Sequence, residues 1–510
     1  MDKFVNYCNI FFNPSSYTRN SNIEITFMKA SLTLFFLFSF LFTLQAQDTD
    51  LAVKKWTLED CVNYALENNI QVKQNENNIA LAEVDKRDAI GNFIPSLNFN
   101  STGAWNSGLT VDPATGVLIN QTSQTTTGGI SSGVPIYRGF RNQNQLKRAQ
   151  LSILASKYQL DRIKDDVTLQ VIDAYLQILF NKEAVNVAKP QVEITKEQLE
   201  RTQQLVNAGT LPQGDLLDVQ ATLANDEQNL IITENNVNLS LINLAQLLQL
   251  ENYDDFDIAD EEIATLPLLN LADYSVDEIY ATALENRNEI KVARANIEIA
   301  EADIKLAKGA LQPTLSGFFQ WNSRYSDRDI VIGSELDPNN PTRIIGQVET
   351  TGDNVITSNF IPIVGPANPF FDQIDQNKGS ALGLSLNIPI LNGFSASNNV
   401  RRAKINYDQQ KYQLEQEELT LERTIYQVYA DAVGALKLYD ATKRSLDARE
   451  VSFEYAQERF DVGVLNSFDF SQIKNQLVRA NSDFLTAKYD FIFRVKLLEF
   501  YYGVPVENLR

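Results

Sequence analysis

The strongest constraint on the fold is an internal repeat. The tetrapeptide Ala65–Asn68 returns 218 residues later as Ala283–Asn286. The hexapeptide that begins at Pro135 shares four of its six residues with the one that begins at Pro389, an offset of 254. The two offsets differ by 36, so the second half carries 36 additional residues between Pro313 and Pro389. Units of this length are too long for a solenoid repeat, and the pattern predicts a tandem duplication of half the molecule.

The N-terminal region has the features of an export signal. Residues 28–46 combine a lysine, a Phe-rich apolar run and a small residue, Ala46, where cleavage is expected. Residues 1–27 then form a doubtful extension ahead of the true start. No later apolar run is long enough to cross a bilayer as a helix, so a mature chain that enters a membrane must do so as a closed β-barrel.

Composition excludes several classes of function. The net charge of −21 argues against nucleic acid as a partner, because phosphates require a basic surface. The chain has no histidine and two cysteines, which removes imidazole catalysis and the usual zinc sites. No phosphate-binding glycine loop or nucleophile elbow occurs. We therefore expect no enzyme activity, no cofactor and no metal site.

Two segments are predicted to form very long helices. Residues 141–208 contain no glycine and a single proline, Pro190, which is expected to kink or unwind the helix. Apolar residues recur in both segments every seven positions, which is typical of coiled-coil packing; an ordinary amphipathic bundle face is the alternative. The series are Leu146, Ile153, Leu160, Val167 and Ala174, then Ile178, Val185, Val192, Leu199 and Val206 in the first segment, and Val400, Tyr407, Leu414, Leu421 and Val428, then Ala432, Tyr439, Leu446, Phe453 and Phe460 in the second.

Each long helix is predicted to end in a tight turn and to reverse. Glycine suits the residue that follows a helix, because it adopts the left-handed conformation without strain. Helices then return from Asp215 and from Asp469. The residues of these two turns are Gly209, Thr210 and Leu211 in the first half and Gly463, Val464 and Leu465 in the second.

Each half is also predicted to contain one β-hairpin, over residues 95–135 and 313–389. Alternating apolar residues such as Leu382, Leu384 and Leu386 indicate strands with one apolar face. Proline disfavours a helical conformation in the residue before it and therefore suits a junction between helix and strand. The junction prolines are Pro95, Pro135, Pro313 and Pro389.

The predicted organisation follows from these elements. The first half spans residues 47–250, an acidic linker spans 251–273, and the second half spans 274–510. The additional residues fall in 322–379, which we expect to form a long loop at the tip of the second hairpin.

This order of elements resembles the TolC-type outer-membrane efflux protein family. The resemblance is carried by the segments that begin at Pro135 and Pro389, by the turns at Gly209 and Gly463, and by residues 283–290, which are close to a family signature but have Asn288 in place of proline.

The resemblance implies an α+β membrane protein in which a long coiled-coil α-helical barrel continues a transmembrane β-barrel shared between subunits. Each chain of a homotrimer would supply four of twelve strands. The protein would reside in the outer membrane, in contact with lipid, with a large periplasmic part. It would passively conduct substrates from an inner-membrane RND or ABC transporter and a periplasmic adaptor (membrane fusion) protein, as the exit duct of a tripartite efflux or type I secretion system.

The resemblance also assigns roles to the turns. The two turns would form the periplasmic tip where partners dock, and Asp469 matches an acidic position that narrows the closed pore. The alternative for Asp469 is a local one, since a carboxylate stabilises the positive N-terminus of a returning helix. For the whole chain, the alternative is a structural or scaffolding coiled-coil protein of the periplasm.

Overall fold

The computed structural model describes residues 55–112, 116–253, 255–259 and 275–503. Contacts divide the chain into a small unit, Met1–Lys55 with Asp255–Asp257, and a large unit, Trp56–Asp254 with Ile258–Arg510. The predicted signal peptide, the extension before it and most of the predicted linker lie outside the described residues.

The described residues form nine helices and ten strands. The helices are α1 (Leu58–Asn68), α2 (Ile70–Gly91), α3 (Arg141–Asn207), α4 (Gln213–Leu248), α5 (Val276–Asn286), α6 (Asn288–Gly309), α7 (Phe370–Gln376), α8 (Ser395–Asp461) and α9 (Ser467–Tyr502). The strands are β1 (Lys55–Trp56), β2 (Ser96–Val111), β3 (Leu118–Tyr137), β4 (Asp257–Ile258), β5 (Thr314–Ser326), β6 (Ile330–Leu336), β7 (Thr342–Gln347), β8 (Asn354–Ser358), β9 (Phe360–Gly365) and β10 (Gly379–Asn387).

Helices of the first half have counterparts of equal length in the second half. α1 and α2 begin 218 residues before α5 and α6, and α3 and α4 begin 254 residues before α8 and α9. The first helix of each half starts with the same device, a capping box made by Thr57 with Asp60 and by Ser275 with Glu278. The offsets in the element bounds are thus those of the sequence repeat.

The two longest helices have 67 residues each, which corresponds to about 100 Å. All twenty positions of the predicted seven-residue series are buried or half-buried, so the apolar stripe is confirmed. Pro190 lies inside α3 without interrupting it, and the local unwinding expected there is not seen. The largest core cluster of the second half joins α5, α6, α8 and α9 around Ile290, Ile425 and Val495.

The main sheet has four antiparallel strands in the order β10-β5-β3-β2. Its two hairpins meet through β3 and β5, and β2 and β10 form its edges. Because directly opposed residues share a face, the register places the apolar side chains on one side and mostly Ser, Thr, Asn and Gly on the other. The apolar face comprises Leu97, Phe99, Trp105, Ile130, Val134, Leu315, Phe319, Trp321, Leu382, Leu384 and Leu386.

The segment expected to be a long loop has its own secondary structure. β5 continues to Ser326, so the first five residues of 322–379 belong to the main sheet. Beyond them β6 pairs with β9 and β7 pairs with β8, which makes a two-part β-ribbon before the short helix α7. The prediction of a loop was wrong because β-branched residues such as Val331 and Ile356 can pair locally across the ribbon.

A pair of left-handed residues joins strand to helix in both halves. Gly139 and Phe140 have φ of 63° and 60°, and Gly393 and Phe394 have 59° and 62°. Glycine adopts this conformation freely, whereas a phenylalanine in it is strained. The chain uses both residues to redirect the backbone within a few residues, and α3 and α8 begin directly afterwards.

The backbone of Gly139 lies against the end of α6. A Cβ atom added at Gly309 would sit 2.6 Å from the Gly139 carbonyl oxygen. This approach requires glycine on both sides, and it fixes the height at which α6 meets the start of α3.

We expect Gly309→Ala to lower the stability of the folded chain by about 1–3 kcal/mol, because the carbonyl of Gly139 cannot move aside as a side chain could. The measurement is thermal unfolding of the detergent-solubilised protein by circular dichroism. Gly434→Ala is the matched control, since Gly434 lies in a helix with no atom near its absent Cβ. That change should be neutral or stabilising; equal behaviour of the two variants would contradict the proposed close approach.

Candidate functional site

The candidate site is the end of the molecule where the long helices reverse, here called the distal turns (residues 208–212 and 462–466). In the first turn Gly209 has φ of 75°. Its amide donates to the Val206 carbonyl at 2.9 Å, and the Thr210 amide donates to the Leu205 carbonyl at 2.9 Å. This pair of bonds is a Schellman motif, which satisfies the last carbonyls of α3.

The second distal turn repeats the motif. Gly463 has φ of 78°, its amide donates to the Phe460 carbonyl at 3.0 Å, and the Val464 amide donates to the Arg459 carbonyl at 2.9 Å. Leu465 packs against the nearby apolar cluster, whereas Val464 is exposed. The predicted turn residues therefore lie together at one end of each helix pair, with Gly209, Thr210 and Val464 open to solvent and Leu211 and Leu465 half-buried.

Asp469 lies in the first turn of α9. Its amide donates to the Asn466 side-chain oxygen at 2.8 Å, and the Asn466 side-chain amide donates to the Asp469 carboxylate at 2.9 Å. Asn466 is thus the N-cap of α9, and the exposed Asp469 carboxylate lies in the first helical turn, where the local interpretation places it. An exposed carboxylate at this position also stays free to face a pore, so its role there remains a prediction.

Arg201 links the ends of the two long helices that lead into the distal turns. Its guanidinium contacts the Asp461 carboxylate at 2.5 Å, donates to the Asp461 carbonyl and lies 5.3 Å from the centre of the Phe460 ring. Phe460 in turn stacks on Phe470 with ring centres 4.5 Å apart. The contact ties the end of α3 to the end of α8, and nothing in the spacing of Arg201 marks it in the sequence.

A buried ionic cluster lies further along the same helices. Lys474 is 0 % exposed, and its ammonium contacts the Asp226 carboxylate at 2.6 Å. It also donates to the Thr195 hydroxyl, which itself lies 2.6 Å from the Asp226 carboxylate. Three helices, α3, α4 and α9, are held by this one group of side chains.

The core stripe of α3 becomes polar at this level. Four residues at positions i, i+4, i+7 and i+11 are buried: Gln191, Thr195, Gln198 and Thr202. The side-chain oxygen of Gln191, both polar side-chain atoms of Gln198 and the hydroxyl of Thr202 have no hydrogen-bond partner among the described residues. Buried polar atoms without partners weaken local packing. In the sequence, this stripe could have been recognised from the polar residues that follow Pro190 at heptad spacing.

The family-like signature at 283–290 forms a second charged cluster, where α5 meets α6. The Arg287 guanidinium lies 4.0 Å from the centre of the Phe500 ring and pairs with Glu289 at 3.1 Å. Asn288 donates to the Asp165 carboxylate at 2.9 Å. Burial raises the pKa of the Asp165 carboxyl, and this desolvation outweighs the opposing effect of Arg287.

The four junction prolines lie at the strand ends near the helices. Pro95 and Pro313 directly precede β2 and β5, and Pro389 follows β10 by two residues. Pro135 differs from expectation, because β3 continues to Tyr137 past a register shift between Pro135 and Tyr137. A bulge accommodates proline, since the residue there need not donate to the ladder.

Within residues 55–112, 116–253, 255–259 and 275–503, no cluster of His, Cys, Asp or Glu has the arrangement of a metal site. In the same ranges, no helix combines the length and the apolar character needed to span a membrane.

We expect Lys474→Met to destabilise the distal part of the helices by about 3 kcal/mol, because it leaves the Asp226 carboxylate without its buried cation. The double variant Lys474→Met/Asp226→Leu should recover most of the loss. The measurement is hydrogen exchange in α3, α4 and α9. Lys305→Met, which breaks the exposed pair of Lys305 with Glu301, is the control and should change stability by less than about 0.5 kcal/mol. Equal effects of the two single changes would contradict the role of burial.

Comparisons with known proteins agree on one family. The family model described as outer membrane efflux protein matches residues 61–249 and 279–503. The chain is 17% identical to the outer membrane efflux protein BepC of Brucella suis over 444 residues, which cover 87% of this chain and 84% of BepC. It is 22% identical to protein CyaE of Bordetella pertussis over 341 residues, 67% of this chain and 61% of CyaE.

Other relatives give the same result. Outer membrane protein TolC of Escherichia coli is 21% identical over 342 residues, 66% of this chain and 60% of TolC. The matches thus span about three fifths of the length of CyaE and of TolC, and more of BepC.

Solved structures share the fold. The Campylobacter jejuni CmeC outer membrane channel superimposes with a TM-score of 0.71 at 17% identity, covering 88% of this chain and 85% of CmeC. The outer membrane protein VceC of Vibrio cholerae does so with a TM-score of 0.68 at 13% identity, covering 88% of this chain and 96% of VceC. The resemblance to TolC-type proteins is confirmed, and the chain belongs to the outer membrane efflux protein family.

Proposed function

We propose that the protein is the outer-membrane exit duct of a tripartite efflux or type I secretion system. It conducts substrates passively from the periplasm or an inner-membrane pump to the exterior. The observation that carries the proposal is the sheet with one apolar face, which is most exposed on the edge strands β2 and β10, joined directly to two 67-residue helices.

The apolar face suits contact with lipid. Leu382 is 83 % exposed and Trp105 is 73 % exposed in the single chain, although they lie on opposite edge strands. A continuous exposed apolar face of this kind is costly in water. The strands have 9 to 20 residues, and about 9–11 suffice to cross a bilayer. A periplasmic scaffolding protein, the alternative, would leave this face in water.

The opposite face suits a lumen. It carries small polar residues such as Asn98, Thr127 and Ser385, which cannot fill the interior of a barrel. Four strands cannot close alone, and edge strands with open backbone groups are not tolerated in lipid. Two copies would give an eight-stranded barrel, whose interior side chains normally fill it. Three copies with twelve strands leave an open conduit, in agreement with the homotrimer that the resemblance implies.

The helices extend the conduit into the periplasm, and the distal turns then face the inner membrane. Gly209, Thr210 and Val464 are open to solvent there, which supports docking of an adaptor protein together with an RND or ABC transporter. No energy source belongs to the duct itself, so the pump supplies it.

The assignment of faces is tested by neighbouring residues in β10. We expect Leu384→Lys to reduce assembly into the outer membrane strongly, because a lysine on the lipid face costs about 2–4 kcal/mol at the bilayer midplane. Ser385→Lys points to the other face and should preserve assembly. The measurement is the amount of heat-modifiable oligomer in outer-membrane fractions. Equal tolerance of both lysines, or a wild-type monomer confined to the soluble periplasm, would refute the channel.

The proposed role of Asp469 is tested electrically. A ring of three carboxylates near the pore attracts cations, so Asp469→Asn should weaken block by multivalent cations and change the closed-state conductance. Asp215→Asn, at the corresponding position of the first half, is the control and should have a smaller effect. The measurement is single-channel recording in planar bilayers. An unchanged record for Asp469→Asn would leave stabilisation of the N-terminus of α9 as the only role of this residue.

A further inference from the structure

We propose that a second copy of this chain docks head-to-tail. β10 and α8 of one copy then meet β2 and α2 of the next copy. The register of this contact is the one in which β3 and α3 meet β5 and α6 within one chain. The inference rests on the proposed assembly of several copies. It adds which residues meet, and this can be read from the internal contact.

The internal contact and the proposed one are related by the repeat. β3 and α3 correspond to β10 and α8 at an offset of 254, and β5 and α6 correspond to β2 and α2 at an offset of 218. Inside one chain β3 pairs with β5, whereas β2 and β10 are the free edges of the sheet. Each pair of residues that meet inside the chain therefore has a counterpart pair. One member of the counterpart pair lies on the side of β2 and α2, and the other lies on the side of β10 and α8.

Some counterpart pairs keep the same chemistry. Arg148 pairs with Asp303 at 2.6 Å, and the counterparts of these residues are Arg402 and Asp85. Asp85 makes no ion pair with any described residue, and Arg402 donates to Asn399 of its own helix. Because opposite charges are retained in the counterpart pair, we infer that Arg402 contacts Asp85 of the next copy as Arg148 contacts Asp303.

The close glycine approach is also retained. Gly139 and Gly309 require each other to be glycine, as described above, and their counterparts are Gly393 and Gly91. In the single chain nothing lies within 4 Å of a Cβ placed on either counterpart. Docking of a second copy would bring the two backbones together and give Gly91, the last residue of α2, the same reason to be glycine as Gly309, the last residue of α6.

Other counterpart pairs change together. Asn288 and Asp165 are hydrogen-bonded at 2.9 Å, and their counterparts are Ile70 and Leu419, which are 56 % and 55 % exposed. Tyr137 donates to Gln312, and the counterparts of this pair are Leu391 and Ile94, which are 88 % and 60 % exposed.

In both cases a polar pair is replaced on both sides by an apolar pair. A lone apolar residue opposite a polar one would desolvate it, whereas two apolar residues bury each other. The joint replacement indicates that the members of each counterpart pair touch.

The strand register can be transferred in the same way. Gly128 lies opposite Ser323 and Ile130 lies opposite Trp321. Their counterparts place Leu382 opposite Trp105, and Leu384 opposite Gly103, on the next copy.

This register passes an independent check. The internal pairings of β2 and β10 put Leu382, Leu384 and Trp105 on the apolar face, and the transferred register joins them face to face. A slip of one residue would turn the apolar face of one copy toward the polar face of the next.

The two copies contribute different surfaces to this contact, β10 and α8 from one copy and β2 and α2 from the next. Such a head-to-tail contact closes into a ring when its rotation permits. Both free sheet edges are then paired, so no open edge remains.

Cysteine pairs test the register in the full-length protein, in a background with Cys8→Ala and Cys61→Ala. Ser385→Cys with Thr102→Cys lie opposite each other in the transferred register. Ser131→Cys with Gln320→Cys is the internal reference, since these residues are opposed within one chain. Ser385→Cys with Ala104→Cys is the shifted control. Opposed positions bring the Cα atoms to about 4.5–5.5 Å, within disulfide range.

Membranes are oxidised and run on non-reducing gels. The internal reference, Ser131→Cys with Gln320→Cys, should stay a monomer. Ser385→Cys with Thr102→Cys should give covalent oligomers up to the closed ring. The shifted control should give at least about tenfold less, because it places the Cα atoms beyond disulfide range. Native mass in detergent is measured on the same samples. An oligomer in which the shifted pair links as well as the first pair, or in which neither links, overturns the register while leaving the channel. A monomer in every sample overturns both proposals.

A charge exchange tests the helical part. Arg402→Asp should reduce the assembled oligomer about tenfold by placing like charges across the contact, and the double variant Arg402→Asp/Asp85→Arg should restore it. The matched internal pair is Arg148→Asp with Arg148→Asp/Asp303→Arg, which should change the unfolding of the chain itself. If Arg402→Asp assembles normally, or if the double variant fails to recover, Arg402 and Asp85 do not meet.

Discussion

The approach of Gly139 to Gly309 sets the register on which the rest of the molecule depends. At this point the backbone leaves a strand, turns through two left-handed residues and enters α3 while touching the end of α6. Because both partners are backbone atoms, the contact cannot slide by a side-chain adjustment. It fixes the height of α3 against α6, and the same height places β3 opposite β5 in the sheet above. Pairing of the strands and packing of the helices are thus two results of one close approach.

The helical packing changes character along its length. Near the sheet and at mid-length the core is mainly apolar, whereas the distal part of α3 turns Gln191, Gln198 and Thr202 inward. Several of the polar atoms there have no partner among the described residues. Local opening starts where buried apolar contacts are fewest. The cluster of Lys474 with Asp226 and the link of Arg201 to Asp461 connect the helices at this level. An apolar cluster that includes Phe453, Phe470 and Leu477 packs beside them.

Much of this fold could be predicted from the sequence, because the repeat and the seven-residue period are both strong signals. The positions of that period are buried or half-buried, and the bounds of the helices follow the offsets of the repeat. The β-ribbon of 330–365 was missed because the first half has no counterpart to it, and because polar turns separate its short strands. Pro190 does not unwind its helix, and at Pro135 a bulge lets β3 continue past a proline that was expected to end the strand. The buried Lys474 could not be foreseen, since its partners lie on helices far away in sequence.

The difference in chemistry between the internal contact and its counterpart has a physical explanation. Contacts within one chain form without the loss of translational freedom, so polar pairs such as Asn288 with Asp165 suffice and also specify the register. A contact between copies must offset that loss, which costs several kcal/mol or more. In the contact between copies, two polar pairs are replaced by Ile70 with Leu419 and by Ile94 with Leu391. Burial of these apolar side chains favours association by about 25 cal/mol per Å². Retaining the charge pair and the glycines preserves the alignment, while the apolar pairs add the affinity that separate chains need. The repeat thus supplies the geometry twice, and substitution at a few paired positions adapts one of the two contacts to association.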